Sequence, residues 1–589
     1  MIEEFENKIE KYRESYITLF DLEQLRHEYQ HICKLQHKKP FKKQYQNLDK
    51  LVETWNQTYL KNEEQQVKEL LDNVKGYPLD AEQRQVVLRD EQNTLVIAGA
   101  GSGKSLTMIG KIRYLVERKK VPLDQILCIS FTNDATKSLK DTLKKYYQYD
   151  MPVLTFHKLS IQIIQNSGKK VHIANPNALE KIVENYLESI IFEEKDAQMW
   201  LCQHFFHNFK EKMKIFVNQM QSFPQIYEKI RKTTQWKQYL KVIPTFIHFM
   251  KANQNTIEEL ENWIQQSKYC RIWNRKDTYF LLLMKRIYMH YQDSLNENNE
   301  MDFDDLIFYA TKLVPNDTTL KYQYIIIDEY QDTSETRYQL VQAIIEKTNA
   351  KLIAVGDDFQ SIYRFTGCDL NIFLNFKTYF PYSMILKIQT TYRNSQELID
   401  AAGSFVMRNP RQMKKELVSS KRIEKPIIIQ YYSNLLINLK AILNQFDQEH
   451  VYLLGRNRKD IMPILEDDDF MSEDGRTIHY KNNPNLPITF FTVHTSKGLE
   501  SDVVILLHME DSMMGFPSKL EDDPILRYVN PSKDYYPYEE ERRLFYVALT
   551  RTKSKVYLMV PKDRPSIFMK ELIQKNKRHI VLQKKRDMV

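Results

Sequence analysis

Glycine is scarce in this sequence, 13 in 589 residues. Where glycines cluster, they are expected to do a backbone task that other residues cannot. Cysteine is scarcer still. Cys33, Cys128, Cys202, Cys270 and Cys368 stand far apart with no CxxC pair. That argues against a zinc site or a disulfide framework and for a reducing cytosol. No apolar run approaches the ~18–20 residues needed to span a bilayer. The opening MIEEFENKIEKYRESY is charged and helix-like, unlike a secretion signal. The expectation is a cytoplasmic protein with no membrane partner. There is also no strong charge excess, since 85 Lys and Arg against 77 Asp and Glu leave +8. That balance is compatible with a polyanionic partner but does not show one. Two basic clusters, at 34–43 and 575–586, read as solvated faces before phosphate tracks.

What is present predicts several domains, because 589 residues exceed one ordinary core. Residues 1–75 read as charged helices, and GYPLD at 76–80 breaks that pattern. Then TLVIAG, ILCISF, YIIIDE and LIAVGD alternate with helical stretches. Such alternation predicts an α/β fold with a parallel sheet flanked by helices. Between His157 and Met301 the strand signal disappears, which reads as a helical insertion. After Phe380 come IIIQYY, VYLLGR, ITFFTVH, VVILLHM and KVYLMV, which predict a second α/β domain. The expected organisation is a helical extension (1–75), a first sheet domain (76–160 with 296–380), an insertion (161–295) and a second sheet domain (381–589).

Chemistry is densest in TLVIAGAGSGKS, residues 94–105. A strand runs into a glycine-rich turn, and Lys-Ser opens a helix. Backbone N–H groups of such a turn cradle phosphates, helped by the helix N-terminus. Ala98, Gly99, Ala100, Gly101, Ser102 and Gly103 would form the cradle. Lys104 would reach the outer phosphates, and the Ser105 hydroxyl would bind Mg²⁺. Ala98 stands where the strict pattern has its first glycine. YIIIDEYQD, 324–332, delivers two carboxylates to a strand end. Asp328 would hold Mg²⁺ and Glu329 would polarise the attacking water. Hydrolysis also needs positive charge in the transition state. Arg393 in TTYRN and Arg551 in RRLFYVALTRTK are placed to supply it from the second domain.

The ordered set of motifs resembles superfamily 1 helicases of the UvrD/Rep type. It runs LDAEQ, AGAGSGKS, SFTNDATKSL, TFH, MDFDDLI, IIIDEYQDTS, VGDDFQSIYRFTGCD, TYRN, FTVHTSKGLESDVVIL and EEERRLFYVALTRTK, from 79 to 553. IYRFTGCD, and the stretch DPILRYV before the last motif, are nearest to the helicase IV branch. The resemblance implies two RecA-like domains and movement 3′ to 5′ on single-stranded DNA, driven by ATP with Mg²⁺. It implies that Gln83 reads the adenine edge, Tyr392 stacks on the base, Glu500 contacts the ribose and Gln360 senses the γ-phosphate. Phe131, Tyr363 and Phe365 would line pockets for single-stranded bases, with Thr155 and His157 touching the strand nearby. His494 and Lys497 would couple strand to nucleotide. Aromatic faces suit a translocating motor because they stack on any base. For Tyr363 and Phe365 the plainer alternative is core packing.

The sequence departs from the pattern it resembles in places. Leu106 stands where many relatives carry an adenine-stacking arginine after the P-loop, and Thr366 replaces another arginine. Only about 35 residues separate GRNR from FTVH, too few for the accessory domain that UvrD and Rep insert there. That domain is expected to be reduced or absent, with regulation passing to residues 1–75. No nuclease motif set is recognisable, so a nuclease would be a separate partner, as would a replication or repair protein. Two rivals to a helicase acting on 3′-tailed duplex remain. One is a translocase that strips proteins with little unwinding, and the other is an ATP-switched DNA-binding subunit of a repair or defence complex.

Overall fold

The computed structural model describes residues 2–30, 46–205, 223–269, 275–530 and 536–583. The basic cluster at 34–43, Cys33, Cys270 and the end of the cluster at 575–586 lie outside them. In chain order the strands are β1 (Asn93–Ala98), β2 (Ile126–Ile129), β3 (Val153–Leu154), β4 (Tyr324–Ile327), β5 (Lys351–Gly356) and β6 (Ser383–Ile388). There follow β7 (Ile427–Tyr432), β8 (Val451–Gly455), β9 (Phe470–Met471), β10 (Thr477–Tyr480), β11 (Asn483–Thr492), β12 (Ser501–Leu506), β13 (Thr552–Pro561) and β14 (Ile580–Gln583).

The first sheet has the order β3-β2-β4-β5-β1-β6, and all its pairs are parallel. Its strands β1, β2 and β4 are buried along their whole length. Helices cover both faces, so aliphatic runs without polar alternation are what this position requires. The strand order reverses beside β1, so the carboxyl ends of β1, β4 and β5 open onto one crevice. The second sheet has the order β14-β7-β13-β12-β8-β11-β10-β9. It is parallel from β14 to β11, and β10 pairs antiparallel with β11 and β9.

The expected boundary at 380 is corrected by β6, which pairs with β1 from Asn93↔Ser383 to Ala98↔Ile388. SMILKI is an edge strand with partly exposed side chains, so it lacks the continuous apolar signal of its neighbours. The insertion also starts later than 161. Leu159, Ile163 and Ile164 of the helix Phe156–Asn166 pack in the first sheet's core. The insertion's own helices run from Ala178–Glu193 to Arg275–Glu297. Their core includes Phe246, Ile247, Phe280 and Met284, and it also takes in Ile525, Leu526 and Val529 from the second half of the chain.

The N-terminal helices Leu48–Gln66 and Lys68–Asp72 lay Leu60, Leu70 and Leu71 on the first sheet domain. Where the resemblance expects a large accessory domain, residues 456–482 form short helical turns and the strands β9 and β10.

Candidate nucleotide and nucleic-acid site

The glycine-rich turn leaves β1 and feeds the helix Lys104–Arg113. Gly101 and Gly103 sit at φ 71° and 77°, the left-handed region that favours glycine. Gly101 is required for a second reason, since a Cβ there would collide with the Cβ of Arg393. The TTYRN segment is tied directly to the turn. The Thr391 hydroxyl donates to the Ala100 carbonyl (2.7 Å) and the Tyr392 N–H to the Gly101 carbonyl (2.9 Å). Gly99 lies against Leu417, and Ala98 ends β1. Ser105 is exposed in the first turn of the helix.

Two buried polar atoms in this cradle, Ser102 Oγ and Lys104 Nζ, make no hydrogen bond. The Lys104 ammonium is 3.5 Å from Glu329 Oε1. Orphaned buried donors are costly, and a phosphate oxygen is the acceptor that fits them.

Asp328 and Glu329 follow β4. Glu329 adopts a left-handed φ of 52°, and its N–H donates to Asp328 Oδ1 (2.9 Å). Burial, reinforced by Glu329, pushes the Asp328 carboxyl up to about 6. Burial opposes ionisation of Glu329 too, but Lys104 and Lys497 outweigh it and hold that carboxyl low. Lys104 and Lys497 act on Asp328 as well but do not overcome its burial and the neighbouring charge of Glu329, and a divalent ion there would favour its carboxylate. Among the described residues no cluster of three or more His, Cys, Asp or Glu could hold a metal.

The second domain contributes both arginines to the same crevice. Arg551 is 1% exposed and donates to four neutral oxygens: the Val547 carbonyl (3.0 Å), the Leu499 carbonyl (3.2 Å), Gln360 Oε1 (3.1 Å) and Thr550 Oγ1 (3.4 Å). Burial and the nearby Arg393 lower its pKa to about 9. A buried cation held by neutral oxygens gains from an arriving anion. Arg393 pairs with Glu500 (2.7 Å) and donates to the Thr550 carbonyl (3.4 Å). Glu500, expected at a ribose, thus serves Arg393 and also lies 3.5 Å from Lys553.

Gln83 and Tyr392, expected to hold the base, both bond the turn, at Ser102 and Gly101. Gln83 is buried and its amide orientation is set. Oε1 accepts the Asp80 N–H (3.0 Å) and Nε2 donates to the Ser102 carbonyl (3.0 Å). One donor and one acceptor of the amide remain, the pair an adenine edge needs. The Tyr392 ring is 57% exposed, with its hydroxyl donating to Asp80 Oδ2 (2.7 Å).

The aromatic groups gather next to this crevice. Phe365 is 57% exposed and packs edge-on to Tyr363 (5.9 Å) and His494 (5.6 Å). The Tyr363 hydroxyl donates to the His494 carbonyl (3.1 Å), and the Lys497 ammonium lies 4.9 Å from the Tyr363 ring centre. Lys497 is itself buried, bonded to Asp332 and 3.7 Å from Glu329. It therefore links the rings to the carboxylate end of the nucleotide crevice. Burial lowers the pKa of His494 and His157 to about 4, so both are neutral near pH 7. Phe131 packs on Phe156 (5.4 Å) with the Arg337 guanidinium 5.1 Å from its ring centre. His157 packs on Phe303 (4.9 Å). Thr155 differs from the expected strand contact. It is buried, and its hydroxyl accepts the Lys158 N–H (3.3 Å) to cap the helix Phe156–Asn166.

Comparison with known families agrees with this arrangement. The UvrD/REP helicase N-terminal domain matches residues 79–381, and the UvrD-like helicase C-terminal domain matches residues 282–563. The chain belongs to the UvrD/Rep helicase family. It is 26% identical to DNA helicase IV of Escherichia coli over 596 residues, covering 97% of this chain and 77% of that protein. ATP-dependent DNA helicase PcrA of Staphylococcus epidermidis is 25% identical over 58% of this chain and 41% of its own length. ATP-dependent DNA helicase Rep of Buchnera aphidicola is 29% identical over 55% of this chain and 44% of its own length.

Several residues that organise this UvrD/Rep site stand inside the motifs, but their mutual contacts carry no sequence signal. Gln331 donates to Glu329 (2.6 Å) and accepts the Asp357 N–H (2.9 Å). Asp357 in turn accepts from Gln360 Nε2 (2.7 Å). Gln360 is therefore occupied on both sides, by Asp357 and by Arg551. The carboxylates after β5 are legible as GDD, but their partner Lys415 lies far along the chain.

Proposed function

We propose that the chain is an ATP-dependent DNA helicase that moves 3′ to 5′ along single-stranded DNA. One observation carries this reading: the P-loop turn lies directly against the arginine segment of the second domain. Lys104 and Glu329 come from one lobe, Arg393 and Arg551 from the other, and Gln360 bonds Arg551 across the boundary. ATP bound there would supply the phosphoanhydride whose cleavage changes how the lobes hold each other.

In this reading the turn 98–103 and Lys104 bind the phosphates, and Ser105 and Asp328 hold Mg²⁺. Gln83 and Tyr392 orient the base, and Glu329 orients water. Arg393 and Arg551 neutralise developing charge. Phe365, with Tyr363 and His494 behind it, offers a ring on which a base of single-stranded DNA stacks. Among the described residues no helix is long and apolar enough to cross a membrane. The widely spaced cysteines with no CxxC pair support a reducing cytosol as the place of the activity. The test is ATP turnover with and without single-stranded DNA, paired with unwinding of 3′- and 5′-tailed duplexes. DNA should stimulate turnover, and only the 3′-tailed duplex should be separated. A second reading, displacement of bound protein with little unwinding, is favoured by the small size of the segment 456–482. Protein displacement without unwinding of either tail would select it.

A further inference from the structure

The segment between the helix Gln396–Val406 and β7 makes an excursion that the sequence does not announce. Leu398, Ala402 and Phe405 of that helix belong to the second domain's core. The chain then returns to the first domain. Arg411 bonds Asn371, Met413 packs with the first domain's core, and Leu417 comes to rest on Gly99 of the P-loop. Val418 bridges to Thr390 before the chain goes back to form β7.

At the centre of this loop is Lys415, whose side chain is 3% exposed. Its ammonium pairs with Asp357 and, at 2.5 Å, with Asp358, both fully buried, and lies 3.9 Å from the Phe359 ring centre. The Met413 N–H donates to the second Asp358 oxygen (2.8 Å). Asp357 is a branch point. It bonds Gln360, which bonds Arg551, and through its own N–H it bonds Gln331, which bonds Glu329.

We propose that Lys415 is a positioning residue for nucleotide hydrolysis, neutralising Asp357 so that Arg551 and Gln360 stay available to the terminal phosphate. The inference rests on the hydrolytic reading above. The physical reason is competition. An uncompensated buried carboxylate at Asp357 would be a second anion, beside Glu329, acting on Arg551 and on Lys104. It would draw the guanidinium one residue inward, past Gln360, and away from the crevice. Lys415 removes that competitor and leaves Asp357 as a hydrogen-bond acceptor. The acceptor fixes the Gln360 amide with Nε2 toward Asp357 and Oε1 toward Arg551. Because Lys415 rides on the returning loop, the arrangement also depends on how that loop seats behind the P-loop.

The test compares the full chain with Lys415→Met and with a triple variant adding Asp357→Asn and Asp358→Asn, which removes the competing charge. Lys415→Met should lose about thirtyfold in DNA-stimulated kcat, with KM for ATP within about threefold. The triple variant should regain at least about tenfold of that loss. A folded Lys415→Met with kcat within about threefold of wild type overturns the proposal, as does a loss that the triple variant does not relieve. Should the single variant fail to fold, the triple variant decides. Turnover within about tenfold of wild type supports the proposal, and a folded triple as inactive as Lys104→Ala overturns it. A wild-type chain without DNA-stimulated turnover would instead sink the hydrolytic reading, and this one with it.

Discussion

The Lys104 ammonium is buried, lacks a hydrogen-bond acceptor and faces Glu329. Removing it takes away the charge that phosphates need and leaves the ring cluster untouched. Lys104→Ala should therefore lower ATP turnover at least about 100-fold, the scale seen when one preorganised donor is lost. DNA binding, measured by fluorescence anisotropy, should stay within about threefold, since the ring cluster is retained. Phe365 is the opposite case, a large ring more than half exposed beside a polar loop. Phe365→Ala should raise the DNA concentration for half-maximal stimulation about tenfold, consistent with ~1–3 kcal/mol of base stacking. Basal turnover should hardly move. Equal loss of basal and stimulated rates would show that the ring serves packing. Both residues were legible in the sequence, because a glycine-rich turn and an aromatic in a polar loop are local features. The partner of Asp357 was not, because an ion pair between residues 357 and 415 is a property of the fold.

At the scale of elements, the insertion is seated against the motif loop rather than hung from it. Lys251 of the helix Thr234–Ala252 pairs with Asp302 (2.5 Å) and Asp305 (2.9 Å). Gly367, at φ 76°, is so close that a Cβ would lie 2.6 Å from that of Ala252. The N-terminal helices are seated too, and one joint has a pH dependence. Glu91 is 2% exposed and accepts the Leu19 N–H (2.8 Å) and the Gln92 N–H (3.0 Å), while its other oxygen has no partner. Burial pushes its pKa up to about 7. The folded state thus binds this proton more tightly than the unfolded chain. The group's stabilising contribution is present at low pH and is lost as pH rises through about 7. Glu91→Gln should raise stability to urea at pH 8 by about 1–3 kcal/mol, with the gain vanishing near pH 4. A gain independent of pH would show that the carboxylate's charge is not the cause. Charged N-terminal helices were predictable from composition. Their docking was not, because Leu60, Leu70 and Leu71 find the first sheet only in three dimensions.

For the whole molecule, the deciding feature is how much the two lobes share. The loop after β5 starts in the first sheet, yet Phe359 and Ile362 are part of the second domain's core. Arg543 reaches back to the Ser361 carbonyl (2.6 Å). Farther out, the segment Pro524–Tyr528 crosses from the second half to the insertion, where Arg527 pairs with Asp277 and Asn253 donates to the Val529 carbonyl (2.7 Å). Contiguous contacts thus join the crevice at the P-loop to the rings and to the insertion. Binding to single strands along such a surface should be electrostatic as well as stacked. About four phosphate contacts would cost roughly 30- to 100-fold in affinity between 50 and 200 mM salt. A flat salt dependence, measured by titration, would count against a phosphate-tracking groove.

The amino-acid order alone determined the two α/β domains, the glycine-rich turn, the carboxylate pair and the order of the family's motifs. Each of these is written in short contiguous runs whose burial and backbone needs are local. Tertiary structure alone decided that β6 closes the first sheet and that Glu500 serves Arg393. It also decided that Lys415 returns from the second domain to pair with Asp357 and Asp358. Those outcomes depend on which distant groups must be neutralised or hydrogen-bonded once water is excluded. Only the assembled core sets that condition.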